Sequence, residues 1–477
     1  MKKIYIYATL ALLAATGCKK DLVQTPTNAI ASNNAFNTQA DFTNATLGMY
    51  AGLRGGTYYG GQDGGSMATT PDILSDNLIL NQQGRKSEQD FFNFKYTGNA
   101  TWDLWSNAYT TILRCNNVLK NIGSLTDGAF KNNIQGEALA VRALAHFDLL
   151  RLYAKSYTSA TATTDPGVPY VTSTDPTLLP ARTPLKTAYD MVVADFVAAQ
   201  GMIGTNNGVG RMDKAAVEGL LSRVYLYRGE WQNCVNAASA AITDAPGANA
   251  LATTTNFPAI WTDDTEADVL FKVKILDGDN TPIGVGYEQA SPAGVKPEYS
   301  VDFTLFNLYT ATDVRTTAYI GQTTFNSINY NYVKKYFGRT TGNANVVDAK
   351  VIRMGEVYLN RAEAYYNLNL PLKALADLNT LRSNRYTNFV AGIETGMPLY
   401  NAILLQRRLE LAFEGARFFD IKRLNLPIQR DNFGDNYDGS GVPAAVKSVP
   451  ATSTLFQLPI PVFEINANPN VVQNPGY

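Results

Sequence analysis

Along most of the chain, apolar residues recur three or four positions apart, the period of a helix that buries one face. In 101–122, "TWDLWSNAYTTILRCNNVLKNI", Leu104, Ala108, Ile112, Cys115 and Leu119 keep that spacing. The stretch 134–157 is apolar nearly all round, which marks a buried helix. In 182–203, Thr183 stands as an N-cap and Pro184 as the first helical residue, a good start signal. Altogether the pattern predicts helices over about 101–122, 134–157, 182–203, 214–243, 351–384 and 398–425, with an earlier one starting in 41–53.

Two of these segments combine large and small residues as tetratricopeptide units do, in which paired antiparallel helices touch through small side chains. In 358–381 the pattern is Tyr358, Ala362, Tyr365, Ala374, Leu378 and Leu381. In 219–241 it is Ser222, Tyr225, Gly229, Cys234, Ala238 and Ala241. Helices 134–157 and 182–203 make a third pair, and 399–424 with what precedes it a fourth. Cys234 falls where a small residue is required. An exported chain could pair Cys115 with Cys234, but their apolar helical surroundings favour two buried free thiols.

Long inserts interrupt the repeats. Segments 54–100 and 244–345 are rich in Gly, Thr, Asn, Asp and aromatic residues and have weak periodicity. Within the second, "DVLFKVKI" (268–275) reads as a short strand. Segment 425–477 carries Pro459, Pro461, Pro469 and Pro475 and cannot form a long helix. The expected fold is mainly α, with about four tetratricopeptide-like helix pairs, minor short strands and an irregular loop-rich cap. Loops on a rigid scaffold are where binding usually resides.

The N-terminus changes the picture. Lys2 and Lys3 precede the apolar run "IYIYATLALLAA", which ends in Thr16-Gly17-Cys18. A basic start, a short apolar core and small residues make a secretory signal, and the run is shorter than the about 20 residues a membrane span needs. The expected organisation is a signal (1–17), a polar tether (18–34) and one folded domain (35–477). Net charge is −1, so no electrostatic footprint for nucleic acid exists. Charged residues are 17%, below the roughly 25% of ordinary soluble domains. Such a surface suits neutral polar ligands. The single histidine, His146, lies mid-helix among apolar residues, so zinc and triad chemistry have little to work with. No metal or cofactor is expected. The acidic run "DDTEAD" (263–268) is acidic enough for calcium but reads as a solvated loop.

The stretch "RRLELAFEGARFFDIKR" (407–423) raises the question of catalysis. Glu410 and Glu414 share a helix face at four-residue spacing, and paired carboxylates at about 5–9.5 Å hydrolyse glycosides. Yet Leu409, Ala412, Phe413, Ala416, Phe418 and Phe419 make the segment apolar almost all round. Arg407 can neutralise Glu410, Arg417 can neutralise Glu414, and Arg423 can neutralise Asp420. A buried scaffold is the expectation. Gly415, which costs about 1 kcal/mol in a helix interior, points to close contact with a neighbouring helix.

That stretch resembles the signature helix of the SusD/RagB family of bacterial outer-membrane lipoproteins. So does the tail "LPIPVFEINANPNVVQNPGY". The blocks "VIRMGEVYLNRAEAYYNL" (351–368), "EALAVRALAHFDLLRLYA" (137–154) and "TPLKTAYDMVVADF" (183–196) are similar to further family blocks in the same order, and "SDNLIL", "WSNAYTTILRCNNVL" and "TDVR" fit more loosely. "ATGC" resembles a lipobox, which implies cleavage before Cys18 and a lipid anchor on its thiol. The resemblance implies a non-catalytic, surface-facing protein that caps a SusC-like TonB-dependent transporter and binds a glycan or, in some relatives, a peptide. Sequence does not choose between these ligands.

Sugar binding needs flat apolar faces with polar tips, which Tyr and Trp provide. The irregular segments supply Tyr58, Tyr59, Trp102, Tyr287, Tyr299, Tyr330 and Tyr332. By position in the family, the expected ligand contacts are Trp102 and Tyr287, with Tyr58 and Tyr59 beside them and Asn99, Asp76 and Arg85 as polar partners. Trp105 occupies the family's core position.

Overall fold

The computed structural model describes residues 35–61, 65–279, 281–291 and 294–477. The expected signal, the tether and Cys18 lie outside the described residues. Helix α1 (Gln39–Leu53) opens with a capping box. The Thr38 hydroxyl accepts the Asp41 N–H, and the Asp41 carboxylate accepts the Thr38 N–H at 2.8 Å, so two end donors are satisfied. Then come α2 (Leu104–Asn121), α3 (Ala129–Tyr153), α4 (Leu185–Gln200), α5 (Lys214–Arg228) and α6 (Trp231–Asp244). After the long insert follow α7 (Met354–Asn367), α8 (Pro371–Ser383), α9 (Gly396–Glu410) and α10 (Arg417–Arg423).

From α1 to α8 each helix packs on the next, and α6 meets α7 although the insert separates them in sequence. Small residues set those contacts. Ala362, Ala374, Leu378 and Leu381 are fully buried between α7 and α8. The Cys234 thiol lies 3.3 Å from the Ser222 carbonyl and 3.5 Å from that of Asn360, so α5, α6 and α7 converge on it. Cys115 and Cys234 are both buried free thiols. Helix α3 is buried along most of its length, as its composition requires. Among the described residues no helix is long and apolar enough to cross a membrane.

The inserts carry the strands β1 (Leu78–Leu80), β2 (Val269–Val273), β3 (Glu288–Ser291), β4 (Gly294–Pro297), β5 (Tyr299–Val301), β6 (Ile320–Phe325) and β7 (Ile328–Val333), and β8 (Ala349–Arg353) leads from the second insert into α7. An antiparallel sheet in the order β1-β5-β7-β6 forms the cap. The predicted strand in 268–275 is β2, and it pairs antiparallel with β8 beside α5. The tail 425–477 contains only short elements, a strand pair at Ile428–Gln429 and Ser448–Val449, a 3-10 turn at Thr454–Phe456 and a short α-helix, Val462–Ala467.

Several expectations need correction. Helix α4 starts at Leu185 with Pro184 as its cap residue. The Thr183 hydroxyl instead accepts the Tyr170 N–H at 3.1 Å. The region 398–425 is two helices broken by a turn in which Phe413 (φ 66°) and Gly415 (φ 71°) are left-handed. Gly415 is therefore not a helix-interior glycine. A Cβ there would collide with the Met67 carbonyl oxygen, and its N–H donates to Asp72 at 2.6 Å. The run 263–268 is not simply solvated. Asp263 is held by Lys350 and Arg339, and Asp268 is buried against Arg353 and Arg385.

Candidate functional site

The carboxylates of 407–423 are enclosed by cations. Glu410 accepts from Arg353 and Arg385 at 2.9 Å each through one oxygen, and from Arg385 at 2.9 Å and Arg315 at 3.2 Å through the other. Burial alone would raise the Glu410 carboxyl, but the Arg385, Arg353 and Arg315 guanidinium groups outweigh it and hold it well below the usual range. Glu414 accepts from Arg353 at 2.6 and 2.8 Å and from Lys335 at 2.7 Å. Burial pushes the Lys335 ammonium down to about 7, against the opposing pull of Glu414. The partners differ from those expected. Arg423 does hold Asp420, but Arg407 also binds Asp420, and Arg417 pairs with Asp76. Neither glutamate offers an open oxygen to a substrate.

The expected ligand contacts are also placed differently. Trp102 is 0% exposed, and its indole N–H donates to the Thr57 carbonyl at 2.7 Å. Tyr58 and Tyr59 are buried and stack on each other, with both hydroxyls on Asp148. Tyr287 is 0% exposed, stacks on Tyr336, and donates to the carbonyls of Ala68 and Phe413. Trp102, Tyr58 and Tyr287 have no accessible surface and present no face to a sugar, and Tyr59, 5% exposed, is stacked on Tyr58, so these four pack in the core. Tyr299, Tyr330 and Tyr332 are buried too. Asp76 is locked by Arg417 and Arg408, and Arg85 is paired with Glu298 at 2.9 Å. Asn99 is exposed, on a turn closed by Thr97 and Ala100. These residues do not form one site.

An aromatic cleft lies elsewhere, between α2, the segment 169–180 and the short helix Val462–Ala467. It encloses about 480 Å³ and is lined by Trp105, Tyr109, Tyr170, Leu178, Leu179 and Glu464 among others. A second lobe of about 740 Å³ continues along Asn116 and Lys120 of α2, with residues 172–176 as the shared wall. Its edges are polar, with Ser173, Asp175 and Asn468 at the rim.

The wall is fixed from beneath. His146 on α3 is fully buried, stacks on Tyr170 at 3.8 Å and 14°, and accepts the Val171 N–H through Nε2 at 3.0 Å. Its Nδ1 therefore carries the proton and donates to the Arg142 carbonyl at 2.9 Å. Burial pushes the imidazole down to about 3, so it stays neutral. Arg142 makes a bidentate pair with Asp195 at 2.7 and 2.8 Å, and Asp195 accepts the Tyr170 hydroxyl at 2.6 Å. The Tyr109 hydroxyl donates to Pro169 at 2.7 Å, and the Asn116 amide donates to the Val171 carbonyl at 3.0 Å. Burial, with Asp103 nearby, raises the Glu464 carboxyl. The result is a preformed trough with ring faces, a carboxylate and amides, the lining that polyhydroxylated ligands require. Nothing in the helical periodicity marks it. The available signal was Pro169-Tyr170, Pro176 and Pro180 between two strong helices, an aromatic loop stiffened by prolines.

A helical-repeat scaffold with a loop-built cap and an aromatic cleft defines a ligand-binding class of protein. Residues 287–477 match the family described as SusD family, and residues 23–226 match the one described as starch-binding, associating with outer membrane. The chain belongs to the SusD/RagB family. It is 25% identical to SusD-like protein P2 of Formosa agariphila over 100% of both chains. A SusD superfamily protein of Bacteroides thetaiotaomicron superposes with a TM-score of 0.80 at 27% identity, covering 92% of this chain and 100% of that one. A laminarin-binding SusD-like protein shares the fold at a TM-score of 0.68 and 20% identity, covering 92% and 99%.

Proposed function

We propose that this protein captures an oligo- or polysaccharide at the outer membrane, without turning it over, for a partner TonB-dependent barrel transporter. The observation that carries this reading is the preformed trough at the partly exposed rings of Tyr109 and Tyr170, with Trp105 packed behind them and Glu464 and Asn468 at its edge. Family-level glycan binding and a fold shared with a laminarin-binding protein support it. A lipid on Cys18 would tether the domain through residues 18–34 on the cell exterior. With Glu410 and Glu414 enclosed by cations, the reading is binding and not hydrolysis.

Calorimetry against glycan and peptide libraries tests the proposal. Tyr109→Ala removes a ring face and is expected to weaken glycan binding about tenfold, roughly 1.4 kcal/mol. Tyr109→Phe, which keeps the ring, is expected to bind nearly as well as the wild type. Unchanged affinity in a folded Tyr109→Ala protein removes the cleft from consideration. Selective binding of peptides, or turnover of the bound glycan, overturns the functional reading itself.

A further inference from the structure

A second cavity of about 650 Å³ opens where α3 ends, bounded by Lys155, Ser156, Ser159, Lys422, Asn425 and Ser453 among others. It shares no residue with the aromatic cleft. Lys422 projects from α10 and donates to the carbonyls of Arg151 at 2.7 Å and Ala154 at 2.6 Å, the last acceptors of α3. An ammonium has three donors, so one is left beyond these two. Its cationic neighbours are each neutralised. Arg151 pairs with Asp148, Arg423 with Asp420 and Glu363, and Lys155 with Asp165. Among the described residues, Lys422 has no carboxylate partner in an ion pair. Burial, with Arg151 beside it, pushes its ammonium down to about 7. A half-buried cation without a counter-ion is the costly state, and an incoming anion relieves it with a charge-assisted hydrogen bond.

The rest of the lining decides what kind of anion fits. Ser156, Ser453 and Asn425 supply hydroxyl and amide groups that both donate and accept, as sugar hydroxyls do, while the Ser159 hydroxyl is held by Asp165 at 3.0 Å. The volume falls within the roughly 300–1,000 Å³ of small-molecule sites. We propose that this cavity binds an acidic saccharide through one oxyanion substituent, a carboxylate or a sulfate ester, placed on Lys422 Nζ, with Ser156, Ser453 and Asn425 on the ring hydroxyls.

Calorimetry with a galacturonate trisaccharide, a sulfated galactose disaccharide, the neutral galactose trisaccharide and an acidic tetrapeptide tests it. At least one acidic sugar is expected to bind at least about tenfold tighter than the neutral sugar and the peptide, and to weaken with added salt. The two acidic arms identify whether carboxylate or sulfate is preferred. Lys422→Met is expected to abolish that preference and Lys422→Arg to retain most of it. Lys422 also holds the end of α3, so melting curves must first show that Lys422→Met is folded. Should it not fold, Asn425→Ala decides, with several-fold weaker acidic-sugar binding expected. Tyr109→Ala leaves this site unchanged, which separates it from the aromatic cleft. Equal binding of neutral and acidic sugars, no binding of either acidic sugar, tighter binding of the peptide, or unaltered acidic-sugar binding in folded Lys422→Met or, failing that, in Asn425→Ala overturns the proposal.

Discussion

His146 shows how one side chain can matter without touching a ligand. It is the only histidine in the chain, so its titration can be isolated by substitution. Folding depresses its pKa from an ordinary value near 6.5 to about 3. The neutral form therefore contributes stability that is fully present above about pH 6.5 and is lost progressively as pH falls toward 3, at up to about 1.4 kcal/mol per unit. His146→Leu is expected to lower stability at pH 7 by about 1–3 kcal/mol, because the Val171 N–H and Arg142 carbonyl lose their partner. It should also remove this part of the acid slope. Urea titrations of both proteins between pH 7 and 4 check both effects, and identical slopes refute the assignment. That His146 is a core residue was legible from its apolar neighbours. Its grip on Val171 was not, because the partner lies 25 positions away in an aperiodic loop.

At the scale of elements, the helices were readable because burial imposes a period that survives in the sequence. The break after α9 was not. Apolar residues continue through Leu411, Ala412 and Phe413 as if the helix did, since the turn is as buried as its flanks. Gly415 was the sole clue, and its reason is a left-handed backbone beneath the Met67 carbonyl. Gly415→Ala combines left-handed strain of about 1–2 kcal/mol with overpacking of about 1–3 kcal/mol. A loss of about 3 kcal/mol in chemical denaturation is the expected outcome, and a loss below about 1 kcal/mol contradicts the geometry. The aromatic ligand contacts were misplaced for a related reason. In 54–100 and 244–345 the loops fold back on themselves, so Trp102 and Tyr287 cement the cap to the scaffold and leave the sugar-facing role open.

For the whole molecule, family and fold class were visible in the order of the sequence blocks, and the anchor rests on the signal-like N-terminus and the lipobox resemblance of "ATGC". Cys18→Ala is expected to move the protein from the membrane pellet to the soluble fraction of fractionated cells. A variant that still pellets with the membrane removes the lipid anchor from the account while leaving the fold intact. The cap strand β1 has a further consequence. Leu78 pairs with Val301, and at the other end of the chain Asn474 donates to the carbonyls of Tyr153 and Leu458 at 2.8 and 2.7 Å. A chain made from its N-terminus can stack its early helices as they emerge. Its first cap strand has no partner until more than two hundred further residues have followed. The cap sheet, whose last strand ends at Val333, thus closes after α1–α6 have been made and before α7–α10, so a chain interrupted before β5 keeps its early repeats but leaves β1 unpaired.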